Sequence, residues 1–250
     1  MRRIGMLICW FLFGTCAVVA ASPVKTQDIS LLSGNETIAG YLAVPESAGR
    51  HPAVVVIHEY WGLNDWVKEQ ARKLAEQGYA ALAVDLYRGE VAYDPSLAHE
   101  LMRGMPQDRA IRDLKAAFDF LAARPDVTKE KIGTAGWCMG GGLALQFAIS
   151  EPRLAACVVN YGAMPTEPAE IQKILAPVLG NYGAEDRGIP TKAVRDFEQA
   201  MKAANKSIDV KIYPGVGHAF ENPNNKLGYS EVPAQDAWNR TVAFLEHFLK

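Results

Sequence analysis

The sequence predicts an α/β fold, a mostly parallel central sheet with helices on both faces, and three observations predict it. Short β-branched runs such as the "AVVVI" of "AVVVIH" are apolar at every position, as suits strands buried on both faces. Segments with helical spacing of apolar residues alternate with these runs along most of the chain. The chain has 250 residues, 49% of them hydrophobic and 22% charged, enough for one large domain with a covered core.

The elements follow in order. "TQDISLL", a turn at "SGNE" and "TIAGYLAV" read as a β-hairpin within Val24 to Pro45. "AVVVIH" (Ala53 to His58) reads as a buried strand. "NDWVKEQARKLAEQG" reads as a helix with Asn64 or Asp65 as cap and Gly78 as stop. "YAALAVDLY" is the next strand, "MPQDRAIRDLKAAFDFLAAR" an amphipathic helix, "KIGTAGW" a strand and "MGGGLALQFAIS" a helix. "LAACVVNYG" and "APVLGNYG" are strands, "PTKAVRDFEQAMKAAN" a helix, "IDVKIYP" a strand and "PAQDAWNRTVAFLEHFLK" a closing helix. The polar, turn-rich "ENPNNKLGYSEVPAQ" reads as a surface loop. No repeat or linker divides the domain, which is expected to run from residue 22 to 250.

The first segment, "MRRIGMLICWFLFGTCAVVAAS", reads as an export signal: arginines, an apolar run, then small residues, with cleavage near Ala20 or Ala21. Its long apolar run leaves an uncleaved membrane anchor as the alternative. An exported protein, periplasmic or secreted, is the expectation. Cys9 and Cys16 fall in this leader, so Cys138 and Cys157 remain of four cysteines, too few for a disulfide scaffold. Cys157, in "LAACVVNY", reads as a small apolar core residue. The formal net charge of −2 and the lack of a long basic run argue against a nucleic-acid partner, and no membrane partner is implied beyond the leader. An uncharged or weakly anionic organic substrate is compatible with this balance, and the oligomeric state is not readable.

"GWCMGGG", Gly136 to Gly142, carries the chemistry. It sets Cys138 between glycines two residues away on either side, at a strand-to-helix junction. This G-x-Nuc-x-G spacing belongs to a nucleophile elbow, whose glycines let strand and helix backbones approach closely. The helix N-terminus beneath Cys138 favours negative charge and so suits the thiolate, the reactive form. A nucleotide-binding loop is the alternative, but the Lys-Ser/Thr end of a P-loop is missing. In α/β-hydrolases an acid and then a histidine follow the nucleophile in chain order. "NYGAEDRGIP" supplies Asp186 and "YPGVGHAF" supplies His218, each just past a strand, where open α/β sheets build their sites. The oxyanion of an acyl-transfer intermediate needs two donors. The backbone N–H groups of Met139, next after the nucleophile, and Tyr60, after the early strand, suit that position.

With "HEYWGLND", "DLYRG", "GWCMGG", "GAEDRGIP" and "GVGHAF", the chain from about Pro52 to the C-terminus resembles the dienelactone hydrolase family (carboxymethylenebutenolidase-like), α/β-hydrolases with a cysteine nucleophile. The resemblance implies Cys138 as nucleophile, His218 as general base and Asp186 as its orienting acid. It gives Glu59 a place beside the thiol and a part in activating it when substrate binds. A carboxylate there would disfavour the thiolate and shield the sulfur from oxidation. "HEYW" lacks the second histidine of a zinc motif, and no metal or organic cofactor is implied. The resemblance places Arg88, in "DLYRGE", near a substrate carboxylate. A second arginine, usual four positions after the histidine, is replaced by Asn222. Trp61 and Trp137 are candidates for the pocket wall or the core.

The function expected is hydrolysis of a small-molecule carboxylic ester or lactone through a Cys-His-Asp triad and an acyl-enzyme. The alternatives are a broader thioesterase or carboxylesterase with an unrelated substrate, a non-catalytic binding protein of the same fold, and a thiol redox sensor.

Overall fold

The structure, a computed structural model, is described over residues 23–250; the leader, its cleavage and its anchoring alternative lie outside the described residues. Among the described residues no helix is long and apolar enough to cross a membrane. Eight strands form one sheet in the order β1-β2-β4-β3-β5-β6-β7-β8. The hairpin of β1 (Val24–Ser33) and β2 (Glu36–Pro45) is antiparallel, and β2 joins β4 (Ala80–Val84) antiparallel. From β4 onward, β3 (His51–Ile57), β5 (Val127–Trp137), β6 (Ala156–Asn160), β7 (Val178–Gly183) and β8 (Ile208–Tyr213) are parallel.

The apolar strands serve two cores at once, because successive side chains leave opposite faces of a sheet. Val55, Ile57, Leu82 and Val84 face a layer containing α3 (Gln107–Ala122), α4 (Met139–Ser150) and α6 (Thr191–Ala203). Val54, Val56, Ala81 and Ala83 face α1 (Asp65–Glu76) and α7 (Glu231–Leu249). Each fully buried Val, Leu or Ile stabilises this arrangement by about 1.5–3 kcal/mol before entropy is charged against it.

Helix starts follow local chemistry. Asn64 caps α1, its side chain accepting the Val67 N–H at 3.2 Å, and Gly78 takes φ 92° after the helix ends. The segment expected as one helix from Met105 begins after Pro106. A helix absent from the sequence reading, α2 (Pro95–Gly104), precedes it, with Asp94 as N-cap and Pro95 at its first position. The short α5 (Pro168–Ile171) was also not anticipated. The strand expected to reach Tyr87 stops at Val84, because the Asp85 carboxylate draws in the Tyr87 N–H (2.9 Å) and the Gly89 N–H (2.5 Å).

Candidate active site

Cys138 stands between β5 and α4 with φ 55° and ψ −119°, a conformation that costs a residue with a side chain about 1–3 kcal/mol. The surroundings enforce it. A Cβ on Gly136 would overlap the Gly140 carbonyl, and one on Gly140 would overlap the carbonyls of Ile57 and His58 at the end of β3. The Cys138 N–H donates to the Asn160 carbonyl at 3.0 Å, and the Cys138 carbonyl accepts from Gly141 (3.0 Å) and Gly142 (3.2 Å). The sulfur is left partly exposed at the N-terminus of α4. Among the described residues, neither the Tyr60 nor the Met139 N–H enters a backbone hydrogen bond, and both residues line the same cleft as Cys138.

Asp186 and His218 reach this point from the turns after β7 and β8. The Asp186 Oδ1 accepts the N–H groups of Gly188 (2.8 Å) and Ile189 (3.1 Å), and its Oδ2 pairs with His218 Nδ1 at 2.6 Å. Burial works against the carboxylate, but the histidine and these N–H groups hold its pKa below the ordinary aspartate value. Burial likewise disfavours a charged His218. The hydrogen bonds to Asp186 and to Cys138, with their negative charge, override it and push the ring up to about 10. With Nδ1 taken by Asp186, Nε2 is the nitrogen left for the sulfur. At neutral pH this ring holds a proton beside Cys138.

Glu59 lies buried under the same cleft. Its Oε2 accepts from Asn222 Nδ2 at 2.6 Å and its Oε1 from the Tyr161 hydroxyl at 3.4 Å. Burial pushes its pKa up to about 7, against the hydrogen bond from Asn222, the charge of His218 and the hydrogen bond from Tyr161. His58 does not face solvent: it is fully buried, and burial lowers its pKa. Its Nε2 accepts the Leu86 N–H at 3.3 Å, so Nδ1 carries the proton and donates to the Glu59 carbonyl at 2.5 Å. The pair therefore fixes the Glu59 backbone just before Tyr60. A second carboxylate, Glu221, accepts from Trp137 Nε1 at 3.0 Å, and burial and the Glu59 charge push it up to about 8.

The cleft, about 1080 Å³, brings together Glu59, Tyr60, Trp61, Cys138, Met139 and His218. Asp186 backs the histidine from beneath. Trp61 is on the wall; Trp137 is core, edge-on to Trp66 with ring centroids 5.5 Å apart. The substrate contact expected of Arg88 is corrected: Arg88 does not line the cleft, and its guanidinium bonds Asp113 Oδ2 and Glu36 Oε2, both at 2.7 Å. Asp113 is fully buried on α3, and an unpaired buried carboxylate is costly enough to hold the arginine away from the site. Sequence reasoning missed Tyr161, which sits at φ 41° with its ring 5.2 Å from that of His218. It registered Asn222 only as a lost arginine, not as the donor that holds Glu59. Cys157 is a free, buried thiol whose pKa burial pushes far up, so no resolving thiol faces Cys138 from that strand.

Sheet order, elbow and the positions of acid and histidine define an α/β-hydrolase. Residues 38–249 match the dienelactone hydrolase family. The chain is 32% identical to a provisionally named carboxymethylenebutenolidase of Methylorubrum extorquens, over 89% of this chain and 85% of the relative. A crystal structure of a provisionally named dienelactone hydrolase from Klebsiella pneumoniae superposes with a TM-score of 0.83 at 30% identity, covering 91% of this chain and all of that one. P91, a dienelactone hydrolase-like promiscuous phosphotriesterase from metagenomic libraries, superposes at 0.84 with 25% identity, covering 91% and 99%. The chain belongs to the dienelactone hydrolase family.

Proposed function

We propose that the protein hydrolyses carboxylic esters, lactones included as cyclic esters, with Cys138 as nucleophile, His218 as acid and base, and Asp186 orienting the ring. The observation that carries this reading is the 2.6 Å bond from His218 Nδ1 to Asp186, on a ring that lines the same cleft as Cys138. The Cys138 thiol passes its proton to His218 Nε2 as the sulfur bonds to the carbonyl carbon, and the N–H groups of Tyr60 and Met139 hold the oxyanion. The carbon–oxygen bond then breaks, and the leaving alkoxide takes the proton from Nε2. A water gives its proton to the freed Nε2 and its oxygen to the acyl carbon. The carbon–sulfur bond breaks, the acid is released, and the proton returns to sulfur.

In this reading Glu59 is a reserve of negative charge that opposes the thiolate while the site is empty. Substrate that displaces it strengthens the nucleophile. The test compares the wild-type protein with Cys138→Ala on 4-nitrophenyl acetate and a panel of small lactones. A fall in kcat/KM of about 10³-fold or more supports the cysteine route. Equal rates in the two proteins would remove it.

A further inference from the structure

The walls of the cleft differ in kind from its floor. On the floor, every charged or polar group of Glu59, Asn222 and Asp186 already has a protein partner. The lining also carries large apolar side chains that the fold leaves exposed. Tyr93, 90% exposed, and Leu227, 103% exposed, both line the cleft, from opposite loops after β4 and after the catalytic histidine. Trp61, Val91, Met102 and Ile189, all half-buried, line the same cleft. Exposed large side chains grouped around a concave site are one mark of contact with a ligand.

Charge points the same way. Among the described residues lining the cleft there is no arginine, and the one lysine, Lys226, is exposed on the rim with its Nζ bonded to the Pro223 carbonyl of its own loop at 3.1 Å. Arg88 is held by Asp113 and Glu36, and Asn222 is spent on Glu59. A substrate carboxylate entering here would lose its water and meet Glu59 and Asp65, and the one cationic ring it could face, His218, is already paired with Asp186. A cleft of about 1080 Å³ also lies just above the ~300–1,000 Å³ typical of sites for drug-sized ligands, more room than one small lactone ring fills.

Resting on the ester-hydrolase reading above, we infer that the substrate is an uncharged ester or lactone whose acyl part carries an extended apolar group, and that Tyr93 and Leu227 determine this specificity by gripping that group at the mouth. The acyl side is favoured because a rim contact to it acts in both half-reactions. A contact to the alcohol side acts only until the first bond breaks.

Three esters with one leaving group test this on the full chain: 4-nitrophenyl acetate, 4-nitrophenyl hexanoate and the mono-4-nitrophenyl ester of adipic acid, which places a carboxylate where hexanoate has its methyl end. The expected order in kcat/KM is hexanoate about tenfold above acetate and about a hundredfold above the adipate monoester. In Tyr93→Ser and Leu227→Ser, both surface changes, the hexanoate-to-acetate ratio falls about fivefold. Leu175→Ser, an exposed leucine that does not line the cleft, keeps the wild-type ratio. Cys138-dependent turnover with the adipate ester used as well as hexanoate, or with a ratio unmoved by either rim variant, overturns this inference and leaves the ester-hydrolase reading standing. Turnover of none of the three, or turnover that survives Cys138→Ala, overturns that reading and this inference together.

Discussion

The floor and the rim of one cleft are built on different physics. The floor is a set of close approaches: β5 against α4 at Gly136 and Gly140, a cysteine forced to φ 55°, a histidine locked to Asp186, and Glu59 sealed under Asn222 and Tyr161. Almost nothing there can change size. The rim is exposed side chains on loops, with Tyr93 and Leu227 touching little of the protein. In the proposed reading, chemistry falls where backbone sterics hold atoms to fractions of an ångström. The inferred selectivity falls where a substitution is structurally cheap.

That contrast can be broken at several depths. The largest effect is expected for Asp186→Asn, which keeps the shape but presents the wrong partner to His218 Nδ1. The expected loss in kcat is about 10⁴-fold on 4-nitrophenyl acetate, with the melting temperature little changed. Gly136→Ala comes next. Its Cβ would occupy the Gly140 carbonyl, so a destabilisation above about 4 kcal/mol is expected, read by urea unfolding or as absence of soluble protein.

Glu59→Gln acts in the opposite direction on stability. A carboxyl raised to about 7 from an ordinary 4.5 means that the folded state binds the proton more tightly than the unfolded chain does. Between those values stability therefore falls as pH rises, and the full penalty persists above 7. The glutamine variant lacks this slope. Its stability relative to wild type should rise by about 3 kcal/mol between pH 4.5 and pH 8, measured by urea titration at both. A parallel pair of pH profiles would show that Glu59 is not sealed as its hydrogen bonds indicate.

Cys138→Gly removes the side chain that makes φ 55° costly and should raise stability by about 1–2 kcal/mol while abolishing ester turnover. The smallest effects belong to the rim variants Tyr93→Ser and Leu227→Ser, which leave unfolding within about 0.5 kcal/mol and shift only the balance among acyl groups.

This division also explains what the sequence disclosed. The elbow was legible because a sharp strand-to-helix turn demands small residues at fixed offsets, and "GWCMGGG" meets that demand within seven positions. Asp186 and His218 were legible because each follows an apolar strand, and an open parallel sheet gathers those ends. The fold class followed from the fully apolar strands that divide their side chains between two cores. The role of Arg88 was not legible. It was decided by Asp113, which comes 25 residues later on the buried face of α3, where the helical period leads one to expect an apolar residue. Tyr161 and Asn222 likewise act through side chains that meet Glu59 from distant loops, so no local spacing announces them. Helix α2 went unread because it is short and buries only Ala98; its Asp94-Pro95 start was the available signal.

The most direct measurement asks which atom carries the acyl group. Wild-type protein mixed with 4-nitrophenyl hexanoate, quenched in acid within the first turnover and digested, is read by mass spectrometry. The account predicts a hexanoyl increment on the peptide containing Cys138, absent in Cys138→Ala. An increment on any other residue, or none while nitrophenolate is released in a stoichiometric burst, would contradict it.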